Sequence, residues 1–271
     1  GSTLADLPAL ASALRMAADD GLVDVVGAWS HMSRADDPSE AGNASTASHV
    51  RIFEEGLAIL ADAGVTPRIR HLSATSGILW HREAHYDMVR AGIGLYGLSP
   101  DPAVATSEQL GLTPALELRA PLTSVKVIEE GTPASYGGTW VAPTRRWIGL
   151  VPLGYGDGIL RAASNQARVV VHTASGPFNA PLIGRVCMDQ FMVDLGPAEG
   201  SPGTPTARSG QAPAIPGDIA TLFGSGIGGE ALADDWAQAA GTINYEIVTH
   251  LGAHIPRIYR DGADATFGSN S

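Results

Sequence analysis

Two tyrosines in this chain stand where a phenol can work at a surface rather than pack in a core. Tyr136 lies in SYGG and Tyr155 in LGYGDG, each beside glycines that open backbone angles closed to residues with a Cβ. Both come after strand-like runs, so both are expected at loop tips; ordinary turn tyrosines of two hairpins are the alternative reading. His31, Thr75 and Gly92 lie at or near the ends of strand-like runs in a β/α rhythm, where chemistry gathers. Lys126 is the only lysine, so any step needing a lysine from this chain has one candidate.

Other motifs carry less. HREAH (His81–His85) pairs two histidines four residues apart, but the zinc-protease order is H-E-x-x-H, and two ligands do not make a metal site; no metal is expected. GSGIGGE (Gly224–Glu230) is glycine-rich but has neither the Lys and Ser/Thr of a P-loop nor the full dinucleotide fingerprint, and reads as a strand-to-helix turn. No GxSxG nucleophile elbow occurs.

The elements that position these residues fall into two styles. Thr3–Gly21 reads as a helix from Leu4, Leu7, Leu10 and Leu14. Leu22–Trp29 reads as a buried strand, the stretch from Met32 through Ala47 as a mostly polar loop, and Ser48–Gly64 as a second helix. Pro67–Leu72 reads as a strand, SATSG as the lead into a short helix, and Asp87–Gly97 as a strand closed by a turn. From Thr113 onward come strand-like runs divided by Gly and Pro: Ala115–Glu130, Trp147–Leu153, Ala167–His172, Pro177–Ile183, Phe191–Leu195 and Asp218–Phe223. Gly200–Gly217 reads as a loop, Glu230–Ala240 as a helix, and PRIYR as a last strand. The expected boundary is near residues 100–112, giving domains 1–106 and 107–271.

Apolar residues make up 44% of the 271 and charged residues 17%, enough to bury a substantial core. A net charge of −11 argues against a nucleic-acid partner. No apolar run is long enough to span a bilayer and no secretory leader opens the chain, so a cytoplasmic protein without membrane contact is expected. A single cysteine, Cys187, excludes a disulfide framework within the chain.

HMSRAD (His31–Asp36), MVRAGIGLYGLSP (Met88–Pro100), ASYGGTW (Ala134–Trp140), VPLGYGDGILR (Val151–Arg161), GRVCMDQFMVDLG (Gly184–Gly196) and INYEIVTHLGAHIPRIY (Ile243–Tyr259) occur in this order. Together they resemble alanine racemase, a pyridoxal-phosphate enzyme with a TIM-type barrel and a C-terminal β-domain. The resemblance implies an α/β plus β fold: part of a (β/α) barrel, then an antiparallel β-domain. It implies interconversion of L- and D-alanine by a homodimer with shared active sites, supplying D-alanine for peptidoglycan.

By the same resemblance, Arg90 matches the arginine facing the pyridine nitrogen; a guanidinium barely gives up its proton, so that nitrogen stays unprotonated. Tyr136 matches the catalytic tyrosine that reaches the partner subunit's site. A free phenol titrates near pH ~10 and is a poor base at neutrality, a cost that a neighbouring imidazole and arginine lower. His31 matches the histidine linking Arg90 to that tyrosine, and a structural histidine is its alternative; His71 matches a supporting histidine behind the arginine. Thr75 falls where the family has a serine at the phosphate, Gly92 and Ile93 match backbone donors to it, and Tyr245 the tyrosine that holds it. Ala74 falls where the family has an asparagine, a departure that removes a polar contact. Met188 matches the residue whose amide meets the substrate carboxylate, although a gap-filling methionine is equally compatible with its side chain. Tyr155, Asp36, Arg161 and Arg185 match residues of a narrow channel selecting a small amino acid.

The family's cofactor lysine belongs to a motif of the AVVKADAYGHG kind, which this chain does not contain, and Lys126 in LTSVKVIEE matches no Schiff-base position. The chain therefore looks like the later part of such an enzyme, starting mid-barrel, and is expected not to racemise alanine by itself. A racemase of another small amino acid such as serine, and a non-catalytic dimerising or ligand-binding relative, remain open on the residues alone.

Overall fold

A short parallel strand pair carries the first half of the molecule. In the computed structural model, which describes residues 1–198 and 212–260, β1 (Gly27–Trp29) pairs in parallel with β2 (Ile69–His71), with Trp29 opposite His71. Parallel neighbours need a crossover, and α2 (Glu40–Asp62) provides it. Before β1 lies α1 (Leu7–Asp19), and after β2 comes α3 (Thr75–Trp80). The chain divides into two compact units, Gly1–Thr113 and Pro114–Ser271.

Several expectations in the first unit need correction. The strand expected over Leu22–Trp29 shrinks to its last three residues; Leu22, Val23 and Val26 are exposed. β-branched composition makes a strand only where a neighbour receives it, and β2 meets only Gly27–Trp29. The polar stretch read as loop up to Ala47 is helical from Glu40. Ser39, extended after Pro38, accepts the Gly42 amide at its hydroxyl and starts α2 eight residues before Ser48. A Cβ on Gly42 would collide with Asp37, so the helix begins where only glycine fits. The strand expected over Asp87–Gly97 is a single bridge, Arg90 to Ala74, succeeded by a 3-10 turn over Ile93–Tyr96 that Gly97 ends at φ +72°.

The route of that segment is set by an ion pair. The Asp87 carboxylate accepts the Arg70 backbone amide at 2.9 Å and its Nε at 2.7 Å, while Asp87 N–H donates to Arg70 C=O at 3.0 Å. Arg90 N–H then donates to Ser73 C=O at 2.9 Å. Residues 87–90 are thereby fastened alongside β2. The core beneath them joins Met32, Ala35, Phe53, Leu72 and Ala84.

The second unit is built on a seven-stranded antiparallel sheet in the order β3-β11-β8-β9-β10-β7-β4. Its strands are β3 (Leu118–Pro121), β4 (Ser124–Ile128), β7 (Arg146–Val151), β8 (Arg168–Thr173), β9 (Gly176–Ile183), β10 (Phe191–Pro197) and β11 (Ile219–Phe223). The run Ala115–Glu130 is thus two strands at opposite edges of the sheet. β9 is the hinge: Gly176–Pro181 pair with β8, and Leu182 and Ile183 pair with β10. The ladder to β8 ends one residue past Pro181, with Leu182 N–H donating to Ala167 C=O at 2.9 Å, and β10 takes over there. Val169, Val171, Leu182, Phe191, Val193 and Leu222 are fully buried, each worth roughly 1.5–3 kcal/mol of burial. β5 (Pro133–Ala134) and β6 (Trp140–Val141) form a hairpin of their own.

At the end of the chain, α4 (Ala233–Ala240) is held to β11 by Trp236 Nε1–H donating to Leu222 C=O at 2.6 Å. It starts three residues later than expected. Residues 224–230 form a turn whose amides are taken by Glu230: Ser225 Oγ and Gly226 N–H both donate to its carboxylate, at 3.0 and 2.9 Å. α5 (Asn244–Thr249) comes next, and PRIYR is irregular and exposed, not a strand, with no pairing neighbour among the described residues. Of the loop expected over Gly200–Gly217, residues 200–211 lie outside the described residues. Among the described residues no helix is long and apolar enough to cross a membrane.

The Asp87 carboxyl is held down at about 2, below its ordinary 3.8, first by the Arg70 side chain and then by its amide. Its folded value is depressed, so its contribution is complete above pH 3.8 and lost as pH falls through about 2. Asp87→Asn should remove that part of the acid dependence. Thermal melts followed by circular dichroism between pH 6 and 2 would show a shallower loss of midpoint in the variant than in the parent.

Candidate active site

Arg90 is the centre of the first unit's cluster. One terminal nitrogen donates to His71 Nδ1 at 3.0 Å and to His71 C=O at 3.3 Å. The other donates to Ser30 C=O at 2.9 Å, His31 Nδ1 at 3.0 Å and Leu72 C=O at 3.1 Å. Its guanidinium lies 5.2 Å from the centre of the Trp29 indole, which itself stacks on His71 at 5.9 Å. The ends of β1 and β2 and the residues directly after them supply all these acceptors.

This arrangement has three chemical consequences. A guanidinium only donates, so both Nδ1 atoms must accept, and each neutral ring carries its proton on Nε2. Among the described residues no carboxylate pairs with Arg90 and no acceptor meets its Nε–H, so one donor and a full positive charge remain for a ligand. Burial, and then the Arg90 charge, push the His71 pKa below its ordinary 6.5; burial also lowers that of Arg90.

Beside this cluster, Thr75 opens α3 and is buried. Its hydroxyl accepts the amides of Gly92 at 3.2 Å and Gly94 at 3.4 Å. The Ile93 amide lies between them in sequence, at the first residue of the 3-10 turn. A Cβ on Gly92 would meet nothing within 4 Å, whereas one on Gly94 would press on the Thr75 methyl at 3.0 Å. With the Gly92 and Gly94 amides spent on Thr75, the Thr75 O–H and the Ile93 amide are the donors beside the open space in front of Gly92, groups of the kind a phosphate needs. Ala74 precedes α3 without a side-chain cap, and Asp36 is exposed in the loop after His31. These donors are of the kind pyridoxal phosphate would need: the Thr75 hydroxyl and the Ile93 amide for an anion, and a non-acidic Arg90 N–H for a ring nitrogen.

In the second unit the sequence-selected residues are drawn together by four loop segments. Tyr136 heads the 3-10 turn Tyr136–Gly138 at the tip of the β5–β6 hairpin and is 71% exposed. Ser135, just before it, donates its hydroxyl to Arg185 C=O at 2.6 Å. Tyr155 N–H donates to Cys187 C=O at 2.9 Å, and Gly156 N–H to Met188 C=O at 2.8 Å. Ser164, whose amide donates to Arg161 C=O at 3.2 Å, accepts Val186 N–H at 3.0 Å on its hydroxyl. Tyr136, Tyr155, Arg161, Arg185 and Met188 therefore share one knot, with Tyr155 and Met188 exposed as well. Asp157 accepts Gly154 N–H at 2.7 Å on one oxygen and lies 2.8 Å from His254 Nε2 on the other, which ties the residues after α5, and so Tyr245 in it, to the Tyr155 loop. Lys126 is exposed in mid-strand on β4, opposite Ile148. His81 and His85 each donate Nε2–H to a carbonyl, of Ala35 and Ile78 respectively, both at 3.0 Å.

Sequence reasoning missed Trp29, Ser30 and Leu72, which act on Arg90 through a ring face and two carbonyls. Trp29 was findable, standing two residues before His31 at a strand end; the carbonyls carry no side-chain signal.

Residues 1–100 match the family model for the alanine racemase N-terminal domain, and residues 115–259 that for its C-terminal domain. The chain is 42% identical to an alanine racemase of Salinispora arenicola over 260 residues, covering 96% of this chain and 63% of that protein. It is also 42% identical to one of Streptomyces coelicolor, covering 94% of this chain and 60% of that protein. The crystal structure of alanine racemase from D-cycloserine-producing Streptomyces lavendulae superposes with a TM-score of 0.83 at 40% identity, over 95% of this chain and 62% of that one. That from Bacillus anthracis with bound L-Ala-P gives 0.74 at 28% identity, over 92% and 58%. The chain thus spans somewhat less than two thirds of the length of these relatives.

Arg90→Met would leave three carbonyls and two ring nitrogens without their donor. It should destabilise the first unit by about 2 kcal/mol in urea unfolding. In the same variant the His71 pKa, tracked by NMR, should rise because the neighbouring cation is gone, while staying below 6.5 because burial remains.

Proposed function

Because the chain belongs to the alanine racemase family, we propose that it carries the larger part of an enzyme interconverting L- and D-alanine. The bound cofactor of this reading, pyridoxal phosphate, supplies an electron sink for the charge left when the Cα–H proton departs. The observation that carries the reading is Arg90: a half-buried guanidinium held by two imidazoles and three carbonyls, with one N–H left over and, among the described residues, no carboxylate beside it.

In this reading Gly1–Thr113 is the later part of the barrel and Pro114–Ser271 the β-domain. Arg90 would offer its remaining N–H to the ring nitrogen and, as a guanidinium, would keep that proton at neutral pH. His71 holds the guanidinium from behind. Thr75, Gly92 and Ile93 would hold the phosphate, with Tyr245 in the role that the family likeness implies for it. His31, with Nδ1 committed to Arg90, offers only its Nε2 side to a further partner.

Tyr136 works across a two-fold interface, on the site of the partner subunit, and moves the proton on one face of Cα. A lysine outside the motifs of this chain serves the opposite face. Bases on both faces give inversion without the substrate turning over. The Met188 amide meets the substrate carboxylate, and Tyr155, Asp36, Arg161 and Arg185 narrow the approach to a small amino acid. The product serves peptidoglycan synthesis in a bacterial cytoplasm.

The test is the lysine-bearing enzyme with Tyr136→Phe. Turnover of both enantiomers should fall by at least ~100-fold, the range expected for loss of a general base. Deuterium from solvent should still enter Cα of one enantiomer. Turnover close to that of the parent would remove Tyr136 from the reaction. The 271-residue chain alone, with Lys126 its only lysine, should show no turnover in a D-alanine assay and no visible absorbance band reducible by borohydride.

A further inference from the structure

Ser135 has a backbone conformation that serine rarely adopts, φ +61° and ψ −174°, directly before Tyr136. That region is close to glycine-only, because a Cβ crowds the flanking carbonyls. Something must hold it there. The Ser135 hydroxyl donates to Arg185 C=O at 2.6 Å and lies 3.4 Å from Cys187 Sγ. Across from it, Gly184 sits at φ +70°; a Cβ there would stand 2.6 Å from Ala134 C=O and 2.8 Å from the Ser135 Cβ. The hairpin and the 184–188 segment thus touch backbone to backbone, and the hydroxyl is the clasp.

On its C-terminal side Tyr136 has a backbone tie only, Gly138 N–H donating to Ser135 C=O at 3.3 Å. Gly137 and Gly138 have φ of +75° and +54° and no side chains. The next side-chain anchor is Thr139, whose hydroxyl accepts Asn165 Nδ2–H at 3.1 Å on the exit side of the turn. The entry side depends on Ser135.

We infer that Ser135 is a positioning residue for Tyr136: its bond to the Arg185 carbonyl selects the strained backbone state that aims the phenol out of the hairpin. This rests on the reading of Tyr136 as the base. It adds that the phenol and the Met188 segment are set by one shared hydroxyl. A glycine would reach the same backbone angles without strain but would not be confined to them.

Hydrogen–deuterium exchange on the full 271-residue chain tests this with Ser135→Ala, Ser135→Gly and a Tyr136→Phe control. Both serine variants should speed exchange in peptides covering residues 135–138 and 184–188 by about tenfold, as expected when a local opening loses its tie. Ser135→Gly should do so while melting at or above the parent's temperature, because the strain is gone. Tyr136→Phe should leave exchange as it was. Unchanged exchange in both serine variants overturns the inference. So does parent-like exchange in Ser135→Gly alone, which would make strain relief the hydroxyl's whole role. Because exchange is read without substrate, retained turnover in Tyr136→Phe would end the catalytic reading and leave this result to stand or fall by itself. In the lysine-bearing enzyme, Ser135→Gly should lower kcat about tenfold with KM for alanine little changed, and an unchanged kcat would also count against it.

Discussion

A cation with no carboxylate beside it is costly to place among backbone atoms, and Arg90 shows how that cost is met. Its terminal nitrogens are spent on Ser30, His71 and Leu72 carbonyls and on the two Nδ1 atoms. Each acceptor is neutral, so the charge is solvated without being cancelled. A carboxylate in the same place would have stabilised the fold equally well and quenched the site. The parallel pairing of β1 with β2 and the Asp87–Arg70 clamp both bear on this one side chain, because they fix the strand ends that carry the carbonyls and the segment that carries Arg90.

The β-domain solves a different problem, that of presenting exposed phenols in fixed directions. Tyr136, Tyr155 and Met188 are all well exposed, and exposed side chains are seldom held by packing. Here the backbones beneath them are bonded to one another instead, through Cys187, Met188 and Arg185 carbonyls and the Ser135, Ser164 and Asp157 side chains. The glycines at 154 and 184 are where those backbones come closest, since a Cβ at either would collide with a carbonyl.

Much of the antiparallel domain was legible because its strands are apolar, short and separated by Gly and Pro; every expected run from Ala115 to Phe223 has a strand within it, Ala115–Glu130 has two, and only PRIYR has none. The first unit was harder. Its strands are three residues long, too short for a period to register, and the polar start of α2 hides a helix behind loop-like composition. Asp87–Gly97 looked extended because Met88, Val89, Ile93 and Leu95 are apolar, yet Met88, Val89 and Leu95 are exposed there. Composition predicts a strand only as far as a partner exists to bury it.

The motifs alone determined the family, the roles its likeness implies, and the absence of any cofactor-lysine motif from these 271 residues, because those depend on residue identity in order. Tertiary structure decided what identity cannot carry: that Arg90 is solvated by neutral acceptors, that both histidines beside it accept at Nδ1, and that Ser135 rather than a glycine stands strained before Tyr136. Hydrogen-bond direction and backbone angle come from neighbours distant in the chain, and no local pattern of side chains encodes them.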